Sequence, residues 1–273
     1  TENFYVEDDP NGDSTPPMSI QTAINFQVAG QTIFVESGVF NERLTVDKSI
    51  TIDGDGFLST VLSGTGLVGT GSGISLNAGI TGITIRDFSI ISFAGSDPLI
   101  NAGIRGASSN SNLTIQNMGI SNNIGGSGIY LSSVSGIDNV LIENVEVSGH
   151  PAGVNPARGI VIWDGHKSNI TIKNCTVYNN SCCGIELQDG TSTGVTLENN
   201  NVYNNGDNGI AATGLTGPGA NIIKGNTVSN NGRFGIEIKL PNGSGAVSGA
   251  GSIVIENNTV YRSTVISDTR DIA

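Results

Sequence analysis

Residues 169–180 read Asn169-Ile-Thr-Ile-Lys-Asn-Cys-Thr-Val-Tyr-Asn-Asn, and after three more residues comes Gly184-Ile-Glu-Leu. Apolar residues alternate with polar ones over short runs, which is the period of a strand with one buried face. Asn and Gly punctuate the runs, and these residues tolerate the left-handed backbone that tight corners need. The unit repeats. Gly-Ile recurs at Gly73, Gly103, Gly128, Gly159, Gly184, Gly209 and Gly235, in steps of 30, 25, 31, 25, 25 and 26 residues. A second register runs beside it: Ile115-Gln-Asn117, Ile142-Glu-Asn144, Ile172-Lys-Asn174, Leu197-Glu-Asn199 and Ile255-Glu-Asn257. Three residues after each Asn stands Ile120, Val147, Val177, Val202 or Val260.

Three short strands per unit do not make an isolated stable sheet. Stacking the units solves this, because each strand pairs with its equivalent one coil away, about 4.8 Å along an axis. Apolar residues then form internal columns, and Asn at equivalent turns can extend into a hydrogen-bonded ladder. Helical solenoids have the wrong period and would not be so rich in glycine and β-branched residues. The expected fold is therefore all-β: a three-sheet parallel β-helix forming a single domain over residues 1–273.

The start differs from the repeats. Ser19-Ile-Gln-Thr-Ala-Ile-Asn reads as a short amphipathic helix that covers the exposed edges of the first coil. Residues 31–46 read as two strands around a glycine turn, and Lys48-Ser-Ile-Thr-Ile-Asp-Gly-Asp-Gly56 opens the next coil. Residues 1–56 thus form cap and first coil, 57–261 the repeated coils, and 262–273 a polar, charged tail with no evident cap. The acidic stretch from Glu7 to Asp13 reads as a solvated terminal segment, with a Ca²⁺ loop as the alternative.

Composition limits the partners. Charged residues make up 13% of the 273 residues, aromatics 5%, and 39 residues are Gly. A net charge of −12 and the lack of a basic stripe exclude nucleic acid. No segment is apolar for long enough to span a bilayer, which excludes membrane insertion. No signal peptide opens the sequence, which reads as a mature or trimmed chain. Of the three cysteines, Cys175 falls at an inward position and reads as a small buried hydrophobe. The vicinal pair Cys182-Cys183 supports no disulfide assignment, and no His/Cys spacing resembles a zinc site.

These repeats resemble the pectin-lyase-like superfamily of right-handed β-helix proteins. The opening from Ser19 to Gly56 is similar to the first coil of pectin methylesterases and of periplasmic copper-processing β-helix proteins. The coils from Gly73 onward are similar to the repeat of polysaccharide lyases, hydrolases and mannuronan epimerases. The polygalacturonase pattern of paired aspartates with a downstream Gly-His-Gly is absent, as is the aspartate-based motif of pectin methylesterases. Trp163-Asp-Gly-His166 is similar in line to the Asp-Pro-His motif of alginate epimerases. Its register differs, since the position of that family's Asp is Val161 here. Gly235-Ile-Glu-Ile-Lys239 resembles the Asp-Gly-Phe-Ala-x-Lys segment of a calcium-dependent pectate lyase family. The resemblance implies that Lys239 is the base that takes the sugar C5 proton; Phe234 stands where that family has a calcium-binding Asp.

Reading along the axis locates a candidate site. One row of outward positions is Arg105, Tyr130, Val161, Glu186, Ala211 and Glu237; the next is Ser132, Trp163, Gln188, Thr213 and Lys239. Asp164 and Asp189 follow at a turn, with His166 and Lys167 beside it. An aromatic face suits a pyranose ring, while carboxylates bind hydroxyls or Ca²⁺. The expected catalytic residues are Lys239, Glu237 and Glu186. The expected substrate-binding residues are Trp163, Asp164, Gln188, Asp189, His166, Lys167, Tyr130 and Arg105. Glu186 and Glu237 lie two coils, about 10 Å, apart, too far to share one ion directly; which residues would hold a metal is left open. The expected function is a lyase-type enzyme on acidic (uronate) polysaccharide, with Ca²⁺ as the one cofactor considered. The alternatives are a non-catalytic carbohydrate-binding or adhesion module, or a stalk of a larger surface protein. The chain is expected to be secreted or displayed at the cell surface, as a monomer, alone or within a longer chain.

Overall fold

The computed structural model describes residues 4–6, 19–217, 220–239 and 253–262. The acidic stretch from Glu7 to Asp13 and residues 263–273 of the tail lie outside them. Every strand ladder is parallel, and each strand pairs with its equivalent in the next coil. Three stacks result. Sheet 1 runs from Gln31–Val35 through Ile50–Gly54 to Ile253–Glu256, and sheet 2 from Gly38–Phe40 to Thr259–Tyr261. Sheet 3 holds the Gly-Ile strands, from Leu44–Val46 to Ile236–Lys239. In two coils, Ser111–Ser121 and Ile137–Ser148 run through the corner and join sheets 1 and 2.

The two-residue period explains the core. In sheet 1, Ile52, Ile85, Ile115, Ile142, Ile172 and Leu197 stack coil upon coil and are fully buried. Each such side chain removed from water contributes roughly 1.5–3 kcal/mol. The column ends at Ile255, which pairs with Ile223 yet is 41% exposed, because no further described coil covers it.

The Asn-Asn corners divide their labour. The first Asn of each pair is left-handed, as at Asn199 (φ 54°) and Asn204 (φ 55°). The second turns inward and bonds to the coil beyond. Nδ2 of Asn200 donates to Oδ1 of Asn226 at 3.0 Å, and Nδ2 of Asn226 to Oδ1 of Asn258 at 2.8 Å. A parallel column at the next corner links Asn180, Asn205 and Asn231. Its backbone-to-side-chain bonds continue through His150: the Asn123 N–H donates to His150 Nδ1, and the His150 N–H to Asn180 Oδ1. Burial pushes the His150 imidazole down to about 4.

The repeated glycine has a steric cause. A Cβ at Gly184 would lie 2.4 Å from Val202 Cγ1 and 2.8 Å from the Gly209 carbonyl oxygen. The same clash recurs at Gly159 and Gly209.

At the start, Ile20–Phe26 is a helix whose Ile20, Ala23 and Ile24 are buried. Both its ends are held from the first coil. Glu42 accepts from the Ile20 and Gln21 N–H groups, and Lys48 donates to the Ile24 and Gln27 carbonyls. Those contacts place a carboxylate at the positive helix end and an ammonium at the negative one. Residues 31–46 form three strands where the sequence suggests two, because a second corner around Asn41–Arg43 starts sheet 3. Phe4–Val6 adds a strand against Gln31–Val35. No helix among the described residues is long and apolar enough to cross a membrane.

Candidate functional site

The strand register brings the expected rows together. Arg105 pairs with Tyr130, Tyr130 with Val161, Val161 with Glu186, Glu186 with Ala211, and Ala211 with Glu237. Beside them Ser132 pairs with Trp163, Trp163 with Gln188, and Thr213 with Lys239. All stand on the outer face of sheet 3.

That face is not the open flank that alternation suggests. Val161 and Ala211 are fully buried, Tyr130 is 6% exposed, and Glu186 and Glu237 are almost enclosed. Tyr130 and Val161 are covered from the two long coils, whose extra residues fall at the corner between sheets 2 and 3, around 94–101 and 150–158, and Glu186 is covered by Arg158. These corner loops touch: Nδ2 of Asn155 donates to Oδ1 of Asp97 at 3.0 Å. Leu99 packs with Ala102, Tyr130, Val161 and Trp163. The loops make a wall beside the rows. The signal was present in the steps of 30 and 31 residues.

Arg158, from the second loop, is the residue beside Trp163 and Glu186 that reading outward from each Gly-Ile pair misses, since it directly precedes Gly159. Its Nε donates to Oε2 of Glu186 at 2.6 Å, and its guanidinium carbon sits 4.7 Å from the Trp163 ring centre. Burial opposes its charge, yet Glu186 and the nearby cysteines raise its pKa overall. Along the face, Lys239 Nζ lies 3.1 Å from Glu237 Oε2, which also accepts from Asn208. Burial works against the Lys239 ammonium, but Glu237 outweighs it and the pKa rises. Lys239 is therefore charged at neutral pH.

The turn after Trp163 is built by Asp-Gly pairs. Asp164 (φ 62°) and Asp189 (φ 53°) are left-handed. Trp163 Nε1 donates to Asp189 Oδ2 at 3.1 Å, Gln188 Nε2 to Asp189 Oδ1 at 3.1 Å, and Ser132 Oγ to Asp164 Oδ2 at 3.0 Å. Trp163 is partly exposed, 6.1 Å from the Tyr130 ring. His166 sits on the surface between Thr191 and Thr193, 2.7 and 3.2 Å from its two nitrogens.

Lys167 corrects the expectation of a surface ligand. It is fully buried, and its ammonium donates to the carbonyls of Asp164, Gly165, Gln188 and Asp189. The turn's inward carbonyls need a donor, and Lys167 supplies it. Burial lowers its pKa to about 8. Arg105 turns toward the Tyr130 ring, 5.8 Å away, at the far end of the row.

The donor set does not fit Ca²⁺, which takes six to eight oxygens. Glu186 is held by Arg158, Glu237 by Lys239 and Asn208, and the residue before Gly235 is Phe234, which offers no oxygen side chain. Among the described residues the group that could hold a metal is instead Cys182, Cys183 and Asp207, at the edge of the same face. Cys175, by contrast, is sealed in the core, and burial pushes its thiol up to about 12.

The family model described as "Right handed beta helix region" matches residues 158–268. Two solved structures share the architecture across the chain. One is the pectate lyase Pel9A, with 15% identity, a TM-score of 0.60, and 98% of this chain aligned to 80% of that one. The other is a pectin methylesterase in complex with a hexasaccharide, with 13% identity, a TM-score of 0.54, and 100% of this chain aligned to 93% of that one. No curated protein sequence matches significantly. At these identities the likeness is one of fold, and the chain is a right-handed parallel β-helix.

Proposed function

We propose that this chain acts on acidic polysaccharide, held along the outer face of sheet 3 from Trp163 to Lys239. The single observation that carries the reading is the register that pairs Trp163 with Gln188 and Thr213 with Lys239, on strands joined by the Leu187–Ala212 pairing. Three coil steps span about 14 Å, a length suited to a short oligosaccharide. Lys239 and Arg158 supply positive charge for uronate carboxylates on a chain whose net charge is −12. Trp163, already placed by Asp189 and Arg158, offers its exposed part to a sugar ring. Export to the cell exterior belongs to the same reading.

The chemistry that suits these groups is β-elimination. A base takes the C5 proton, the C4–O bond breaks toward the leaving sugar, and a C4=C5 double bond forms. Lys239, in its unprotonated form, would serve as base and water would protonate the leaving oxygen, while Arg158, oriented by Glu186, would steady the charge growing on the uronate. A second reading, binding without turnover, is favoured by the charged state of Lys239, since an ammonium takes no proton.

Incubation with polygalacturonate and with alginate separates the two readings. Rising ultraviolet absorbance from the new double bond supports elimination. Affinity without turnover leaves the binding module. Neither affinity nor turnover with any uronate polymer removes the proposal.

A further inference from the structure

The corner that leads from sheet 2 into sheet 3 carries a second cluster, which the glycan reading does not use. Cys182 stands two residues before Gly184, and Asp207 two residues before Gly209, so they are equivalent positions in neighbouring coils. The Asp207 N–H donates to the Cys182 carbonyl at 3.1 Å, which fixes that pairing. Coil stacking thus sets an acid beside a vicinal thiol pair.

We infer that Cys182, Cys183 and Asp207 form a binding site for a thiophilic divalent cation of the Zn²⁺ class. The two sulfurs are 3.8 Å apart. A disulfide would need about 2.05 Å. Two thiolates about 2.3 Å from one tetrahedral zinc stand about 3.8 Å from each other. Asp207 Oδ2 is 3.9 Å from Cys183 Sγ, and the three ligand atoms lie within 4.8 Å of one another. The cysteines are buried and Asp207 is half-buried. The site therefore opens at the acid, where water or an exogenous ligand completes the tetrahedron, the arrangement of three protein ligands and one free corner.

Glu186 adds negative potential at the two sulfurs, and the nearby cation Arg158 is paired to Glu186 at 2.6 Å and to the Pro156 carbonyl at 3.0 Å, so its charge is offset there. A dication bound by the two cysteines as thiolates releases their thiol protons to solvent, with no change of oxidation state. The sequence hides such a site because its third ligand comes from the next coil, not from a short Cys-x-x-Cys spacing.

The test uses the full chain, reduced and freed of metal, titrated with Co²⁺ and then Zn²⁺. The expected result is a sulfur-to-cobalt charge-transfer band that saturates at one equivalent, is displaced by Zn²⁺, and vanishes in Cys183→Ser. Asp207→Asn, at a half-buried position that leaves the sulfurs in place, should keep the band and weaken binding by about tenfold or more. No band in the reduced chain overturns the inference, as does a band undiminished in Cys183→Ser or an affinity unchanged in Asp207→Asn. The outcome is independent of whether sheet 3 takes a glycan.

Discussion

Arg158 Nε meets Glu186 Oε2 at 2.6 Å across neighbouring coils, with both side chains almost withdrawn from water. A pair so placed adds little net stability, but removing one partner strands the other. Glu186→Ala should lower unfolding free energy by about 3 kcal/mol. Arg158→Met together with Glu186→Leu should recover most of that loss. Denaturant midpoints of the two variants check both statements, and equal losses would show that the stranded charge is not the cause.

His150 predicts a specific pH dependence. Its folded pKa, about 4, lies below the unfolded value near 6.5. The unfolded chain therefore takes up the proton first as pH falls. Stability from this group is fully present above pH 6.5 and is lost progressively down to about 4, to a total of about 3 kcal/mol. His150→Asn should flatten the profile in that window, because an amide fits the column formed by Asn180, Asn205 and Asn231. An unchanged slope in urea denaturation between pH 4 and 6.5 would sink the assignment.

Gly184→Ala should destabilise by about 2–3 kcal/mol, since the new methyl group meets Val202 and the Gly209 carbonyl with no room to yield. Gly184→Ala with Val202→Ala should be milder than the sum of the two. Thermal melts of the single and double variants measure the difference.

How much could be read in advance follows from what repeats. The Ile and Val columns obey a period of two, so the core and the register of Trp163 with Gln188 are legible in the chain. The Asn pairs at the corners announce turns for the same reason. The direction of long side chains does not repeat. Lys167 folds back onto carbonyls of its own turn, and Arg158 reaches over Trp163, because local acceptors and rings decide those rotamers. The juxtaposition of Cys182 with Asp207 needs the coil pitch as well as the sequence. Burial of Val161 depends on what the corner loops cover.

Trp163→Ala should weaken acidic-polysaccharide binding by about tenfold or more while leaving the strand register intact. Affinity electrophoresis in polygalacturonate or alginate gels, with circular dichroism as the control for folding, reports both. Wild-type retardation with correct folding would place the glycan elsewhere.

The two corner loops add five or six residues between sheets 2 and 3, yet the strands on either side keep their partners. That corner is thus a graftable position: the scaffold can accept a different segment there without renegotiating any other coil. Relatives of this chain could diverge in specificity by swapping such segments while the barrel of stacked rungs stays constant. An engineer could do the same, replacing residues 151–154 with a recognition loop and keeping the contacts of Asn155 with Asp97 and of the Pro156 carbonyl with Arg158.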